Sequence, residues 1–296
     1  MYALTFVACA EALVEESIIG VDVAAEWSHG KAGSLYGAAV AAGADVASAA
    51  PGAGEVTVAG VVSEGPSDWV GYSGSAVVRG SATGAVEVDD VRVGSVPGAR
   101  TWAADADGVL VGSSNYLVYF EIEAGTVTKT WDMTVEGLGA VGLGEGRALA
   151  VVCGAECVGW SWARADGAEV GEILGAGKGG AIVEIDGVVW AGDPDMEVDD
   201  GAGRACSEAG PCVEGLRGDH LGQAFGGGYV VGTFNKWIVP ARARFVSLSG
   251  RVAYAMEVGA ESRPIAVAGN STTIVFGAPY YPHHGEPSGA VAVVRR

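Results

Sequence analysis

Residues 193–201 read DPDMEVDDG, and Asp193, Asp195, Glu197, Asp199 and Asp200 crowd the run with carboxylates. Hard divalent cations such as calcium take roughly six to eight oxygen ligands, and alternating acidic side chains on a loop can supply them. The run is therefore a candidate calcium loop. The alternative is a solvated acidic loop pinned by the neighbouring Cys206 and Cys212. A sparser acidic turn, AADADG at 103–108, offers Asp105 and Asp107 before Gly108. Two carboxylates are few for a cation, and Asp side chains in turns also accept hydrogen bonds from nearby backbone amides.

Five cysteines divide into two local pairs and a singleton. Cys153 and Cys157 lie in CGAEC, Cys206 and Cys212 in CSEAGPC. Neither pair has the two-residue spacing of zinc or redox motifs, and no histidine lies close enough in sequence to complete a tetrahedral site. The spacing predicts two small disulfides, and with them an oxidising compartment outside the cytoplasm. Cys9 ends the apolar leader MYALTFVAC, which resembles the end of a bacterial lipoprotein signal. That resemblance implies lipidation of Cys9, a leader and tether over residues 1–17, and a protein anchored in the cell envelope or surface, or secreted. An unpaired cysteine near a frayed terminus is the other reading. No uninterrupted apolar run is long enough for a membrane-spanning helix, so membrane contact is expected only through the lipid anchor.

No sequence motif for catalysis emerges. His29, His220, His283 and His284 fall in apparent loops without a nucleophile context, and Arg217-Gly218-Asp219 is a chance tripeptide in a chain rich in Gly and Asp. Carboxylates could still converge from distant segments, where spacing gives no warning. The formal charge of −19 leaves nothing to neutralise phosphates, so nucleic acid is not an expected partner.

The elements that must carry these residues are short strands. The chain has 49 glycines, and stretches free of Gly and Pro are mostly too short for an ordinary helix. Short β-branched or apolar runs repeatedly end on a small residue. Taking Ala49, Gly80, Gly112, Gly154, Gly192, Gly232 and Gly277 as anchors, the intervals are 31, 32, 42, 38, 40 and 45 residues. A β unit recurring at about 40 residues is the signature of a propeller blade.

At residues 33–58 and 274–294 the pattern resembles the FG-GAP repeat of integrin-α-type propellers. Tyr36-Gly37 and Phe276-Gly277-Ala278-Pro279 stand for the aromatic-Gly and strand-end positions, and Ser288-Gly289-Ala290-Val291 for the returning strand. Gly218-Asp219-His220-Leu221-Gly222 looks like another copy. The resemblance implies an all-β propeller over residues 18–296, with calcium loops of the kind that Asp105 and Asp107 partly match. Seven anchors predict seven blades; the loop-like segment 193–215 leaves six open. Ile18 to Val23 is the expected outer strand of the last blade, closing the ring. The function expected is that of a monomeric, non-enzymatic module binding a protein or glycan through its loops. The alternative is a glycan-active hydrolase or lyase with an acidic site on the axis.

Overall fold

The computed structural model describes residues 25–43, 45–123, 126–194, 201–215, 218–226, 228–232, 242–248, 253–257, 266–270, 273–278, 282–283 and 286–295. Among these residues there are seven four-stranded antiparallel sheets and one two-residue ladder, Pro282–His283 with Glu286–Pro287. The seven sheets are blades arranged in a ring. Their innermost strands are Ala39–Ala42, Trp69–Ser73, Thr101–Asp105, Leu138–Gly144, Ile182–Ile185, Leu221–Gly226 and Ala266–Gly269, in blades 1 to 7. Each innermost strand packs beside the next, and blade 7 returns to blade 1. The predicted all-β propeller is the observed fold, with seven blades.

Each sequence anchor marks the second strand of a blade or the residue just after it. Those strands include Val46–Ala50, Ala76–Gly80, Gly108–Gly112, Arg147–Cys153, Val188–Asp193 and Thr273–Ala278. They are flanked by strands on both sides and by blades on both faces, so they read as apolar runs rather than alternating ones. Val109, Leu110, Val111, Leu149, Ala150 and Val151 are fully buried as a result.

Crowding at the ring's seams explains the small strand ends. A Cβ on Gly192 would lie 1.9 Å from the Gly222 carbonyl oxygen of blade 6, and one on Gly277 would lie 2.0 Å from that of Gly37. No side chain fits where two backbones approach so closely.

The ring is closed by the N-terminal strand, as predicted, but by a later segment. Ala25–His29 pairs antiparallel with Ala290–Arg295, running from Ala25 opposite Val294 to His29 opposite Ala290. Ile18 to Val23, the expected closing strand, lies outside the described residues, as does Cys9. The register is tied by Gly30 N–H to the Gly289 carbonyl at 3.1 Å and Tyr36 N–H to the Ser288 carbonyl at 3.2 Å.

The segment 193–215, whose hairpin partner the sequence does not reveal, supplies the two outer strands of blade 5, Arg204–Ser207 and Cys212–Glu214. Both expected disulfides form, Cys153–Cys157 and Cys206–Cys212, each joining residues directly opposite in a hairpin. They are consistent with an oxidising compartment.

Candidate functional site on the axis and the two loop faces

Every blade starts at the axis and meanders outward, so its loops sort onto two faces. The turns joining first to second and third to fourth strands emerge on one face. The loops joining second to third strands, and the connections between blades, emerge on the other. The turn with Asp105 and Asp107 belongs to the first face. The loop beginning at Asp193, the Cys153–Cys157 hairpin, Asp219, His220 and His283 belong to the second. Asp105 and Asp107 therefore sit on the face opposite Asp193.

The short-turn face is a set of ionic clamps between blades. Arg164, in the outer turn of blade 4, is buried and reaches back to blade 3. Its Nη1 donates to Asp105 Oδ2 at 2.7 Å and its Nη2 to Asp105 Oδ1 at 3.0 Å. Its Nε and Nη2 also donate to Tyr119 Oη at 3.0 and 2.6 Å, and Nη1 donates to the Gly144 carbonyl at 3.2 Å. The Trp131 indole donates to the Arg164 carbonyl at 2.7 Å. Burial works against the Arg164 charge, but the Asp105 and Tyr119 contacts outweigh it and raise its pKa further. Burial likewise pushes the Tyr119 hydroxyl up, against the pull of Arg164.

The Asp105 carboxylate also accepts the Asp107 and Gly108 amides at 3.0 and 3.2 Å. Its lone pairs are thus shared between a guanidinium and its own turn, the use of an Asp turn weighed above against calcium.

A second clamp joins blades 4 and 5. Arg147 meets Glu184 at 2.8 Å and Glu208 at 3.2 Å, while the Glu145 amide donates to Glu184 at 3.1 Å. Burial alone would raise the Glu208 carboxyl; Arg147 and the Val189 amide hold it below the usual carboxylate range. Arg79 ties blade 2 to blade 1 through Ser63 Oγ at 2.9 Å and pairs within its own blade with Glu87 at 3.0 Å.

Inside the ring runs an axial cavity of about 870 Å³, lined by all seven innermost strands. Its wall is mostly Ala, Gly, Val and Ile, with aromatic surface from Tyr72, Trp102 and Phe225. The acidic residues on it are Asp105, Glu184 and Asp186, and among the described residues no Lys, Arg or His lines it. The first two belong to the clamps above. Tyr72 packs over Gly43; its hydroxyl oxygen is buried with no hydrogen-bond partner, and burial, helped by Asp45, pushes its pKa up to about 12.

On the opposite face the loop after Asp193 is held at both ends by one residue. His220 Nδ1 lies 3.1 Å from the Pro194 carbonyl, and the His220 amide donates to the Gly201 carbonyl at 2.8 Å. Asp193 itself faces Arg204 at 3.4 Å. Asp195, Glu197, Asp199 and Asp200 lie outside the described residues, as do Arg217 and His284. Among the described residues no three His, Cys, Asp or Glu side chains converge on a metal-sized point. Among the described tryptophans, Trp69, Trp131, Trp162 and Trp190 are buried in blade packing and Trp102 stacks on Trp69 at 5.6 Å, while Trp237 lies outside the described residues. Sequence spacing missed the clamps because Arg164 and Asp105 are 59 residues apart.

The class this geometry defines is a seven-bladed, all-β propeller with an apolar axial cavity, ion-paired turns on one face and long loops on the other. No known protein family matches the chain, and no curated protein does either. Among solved structures it is similar to the computationally designed Ika8 protein, with a TM-score of 0.54 and 16% identity over 90% of this chain and 98% of that one. At that identity the likeness speaks for the fold alone.

Proposed function

We propose that this propeller is an extracytoplasmic, non-enzymatic binding module of FG-GAP type that holds a protein or glycan on the face carrying its long loops. The observation that carries the reading is the division between the two faces. The second strands of blades 5, 6 and 7 end at Asp193, Gly232 and Ala278 and the third strands begin at Arg204, Arg242 and Ala290, so all three connections join strand ends on one side. On the opposite face, turns of blades 3 to 5 are tied into the Arg164 and Arg147 clamps. Variable loops on a rigid scaffold are where recognition usually resides. The axial wall supports the same choice, because two of its three carboxylates are already paired and it offers no basic residue among those described.

Calcium belongs to this reading as a ligand of the loop from Asp193 to Asp200, with His220 fixing the loop's ends. A lipidated Cys9 would tether the module to a membrane. Added calcium should then raise the melting temperature, since a ligand that binds only the folded state stabilises it by mass action.

Binding to a glycan array and to intact cells tests the reading. Replacing Asp195, Glu197, Asp199 and Asp200 with their amides should weaken binding. The same change at Glu145 and Asp186, on the opposite face, should leave it unaltered. Loss of binding only in the second variant overturns the assignment of the face. Cleavage of a polysaccharide panel, abolished by Asp186→Asn, would establish the hydrolase or lyase reading instead.

A further inference from the structure

We propose that the axial cavity is a separate binding site for one small molecule that is uncharged or cationic and carries an aromatic or branched apolar body. Concave sites of roughly 300–1,000 Å³ with apolar walls and a few polar groups are the usual form of small-molecule pockets. This cavity has about 870 Å³. Its size follows from the sequence. The innermost strands carry Ala and Gly where larger residues would meet across the axis, as in Ala39–Ala42, Leu138–Gly144 and Ala266–Gly269.

The surface that remains is apolar and partly open. Trp102, Val183, Ile185, Phe225 and Val267 line the cavity and are only half-buried, although their strands are at the centre of the ring. Apolar area left open to water in an enclosed space gains from being covered by an apolar occupant.

Charge decides the class of occupant. Asp105 and Glu184 on the wall are neutralised by Arg164 and Arg147, which leaves Asp186 as the lining carboxylate outside the clamps; no cation lines the cavity among the described residues, and the chain as a whole carries −19. Low-dielectric walls lined by one sign of charge focus the field, so the cavity repels anions. An anionic body of the same shape is therefore disfavoured.

Two dyes with the same aromatic body test this on the native chain: neutral phenylnaphthylamine and anionic anilinonaphthalene sulfonate. The neutral dye should bind saturably, one per chain, and raise the melting temperature. The sulfonate should bind at least roughly tenfold more weakly at low salt. Ala224→Phe fills the wall from blade 6 and should weaken the neutral dye at least roughly tenfold; Ala103→Phe repeats the test from blade 3. Val61→Ser with Val91→Ser removes two of the exposed valines on the outer strands and should change nothing. The proposal is overturned if the neutral dye leaves the native melting temperature unmoved, or if the sulfonate binds equally well. It is also overturned if the outer valine variant, rather than a folded filling variant, removes binding.

Discussion

Replacing Arg164 with Met should weaken the whole ring through a single seam. Arg164 donates five hydrogen bonds from its side chain, two to Asp105, two to Tyr119 and one to the Gly144 carbonyl. Methionine keeps most of the apolar stem and removes the charge. Breaking a buried ion pair by deleting one partner costs about 3–5 kcal/mol, because the surviving charge is stranded. Here the Arg164 side chain is 9% exposed but that of Asp105 is 32% exposed, so water can re-solvate the carboxylate. That puts the cost near the lower end, about 3 kcal/mol. For a chain of this size the melting temperature should fall by roughly 5 °C. Thermal melts followed by circular dichroism read the change. A double-mutant cycle with Asp105→Asn isolates the pair, and a coupling of about 2 kcal/mol is expected for hydrogen bonds to a charged group. Additive single effects, with coupling below about 0.5 kcal/mol, would refute the claim that the two residues act as one clamp. Lys129→Ala is the control, because the Lys129–Asp132 pair is solvent-exposed and its loss should leave the melt unchanged.

Tyr72→Phe should be neutral or raise stability by about 1 kcal/mol, since it removes a buried hydroxyl that has no partner. The fold favours the neutral phenol of Tyr72, so its contribution is complete below the ordinary pKa of 10 and is lost as pH rises through about 12. Melts between those two values should therefore decline less steeply in the phenylalanine variant, and identical alkaline limbs would contradict the shift. Deleting residues 1–30 should lower stability and cause aggregation by baring the edge of Ala290–Arg295, an apolar strand otherwise paired with Ala25–His29. A soluble, fully stable deletion variant would show that the ring does not need this strand.

The repeat was legible because burial on all sides forces one kind of strand. A second strand enclosed by two neighbours and two blades must be short, apolar and narrow at its end, and that requirement shows as Val188-Val189-Trp190-Ala191-Gly192 and Ile274-Val275-Phe276-Gly277. The disulfides were legible because cysteines close in sequence were brought opposite each other by a hairpin. Blade 5 was harder to read. Its outer hairpin is built from Arg204–Ser207 and Cys212–Glu214, strands too short and polar to give a periodic signal. The clamps were illegible in principle, since Arg147 and Glu208 are 61 residues apart and meet only when blades 4 and 5 pack. Closure was half legible: apolar Ile18 to Val23 looked the better strand. The pairing that is observed uses AEWSH instead, where outer-edge position relaxes the need for apolar residues.

The same asymmetry bears on why recognition would settle on one face. At the seams of the long-loop face the chain is held by backbone against backbone. The Ala181 amide donates to the Gly222 carbonyl at 3.0 Å, the Tyr36 amide to the Ser288 carbonyl at 3.2 Å, and the Leu138 amide to the Ser114 carbonyl at 3.2 Å. Those bonds need no particular side chain, only room, which is why glycine stands at Gly192 and Gly277. Side chains add to these seams at particular points, as where Ser34 Oγ donates to the Ser288 carbonyl at 2.8 Å. On the opposite face the duty lies in side chains themselves: Arg164, Asp105, Arg147, Glu184 and Glu208 cannot change without unclamping two blades. A propeller built this way ties its described seams on one face mainly through backbone, and those of blades 3 to 5 on the other through side chains. Selection for a new ligand would therefore act on the face where backbone bonds carry most of the seam.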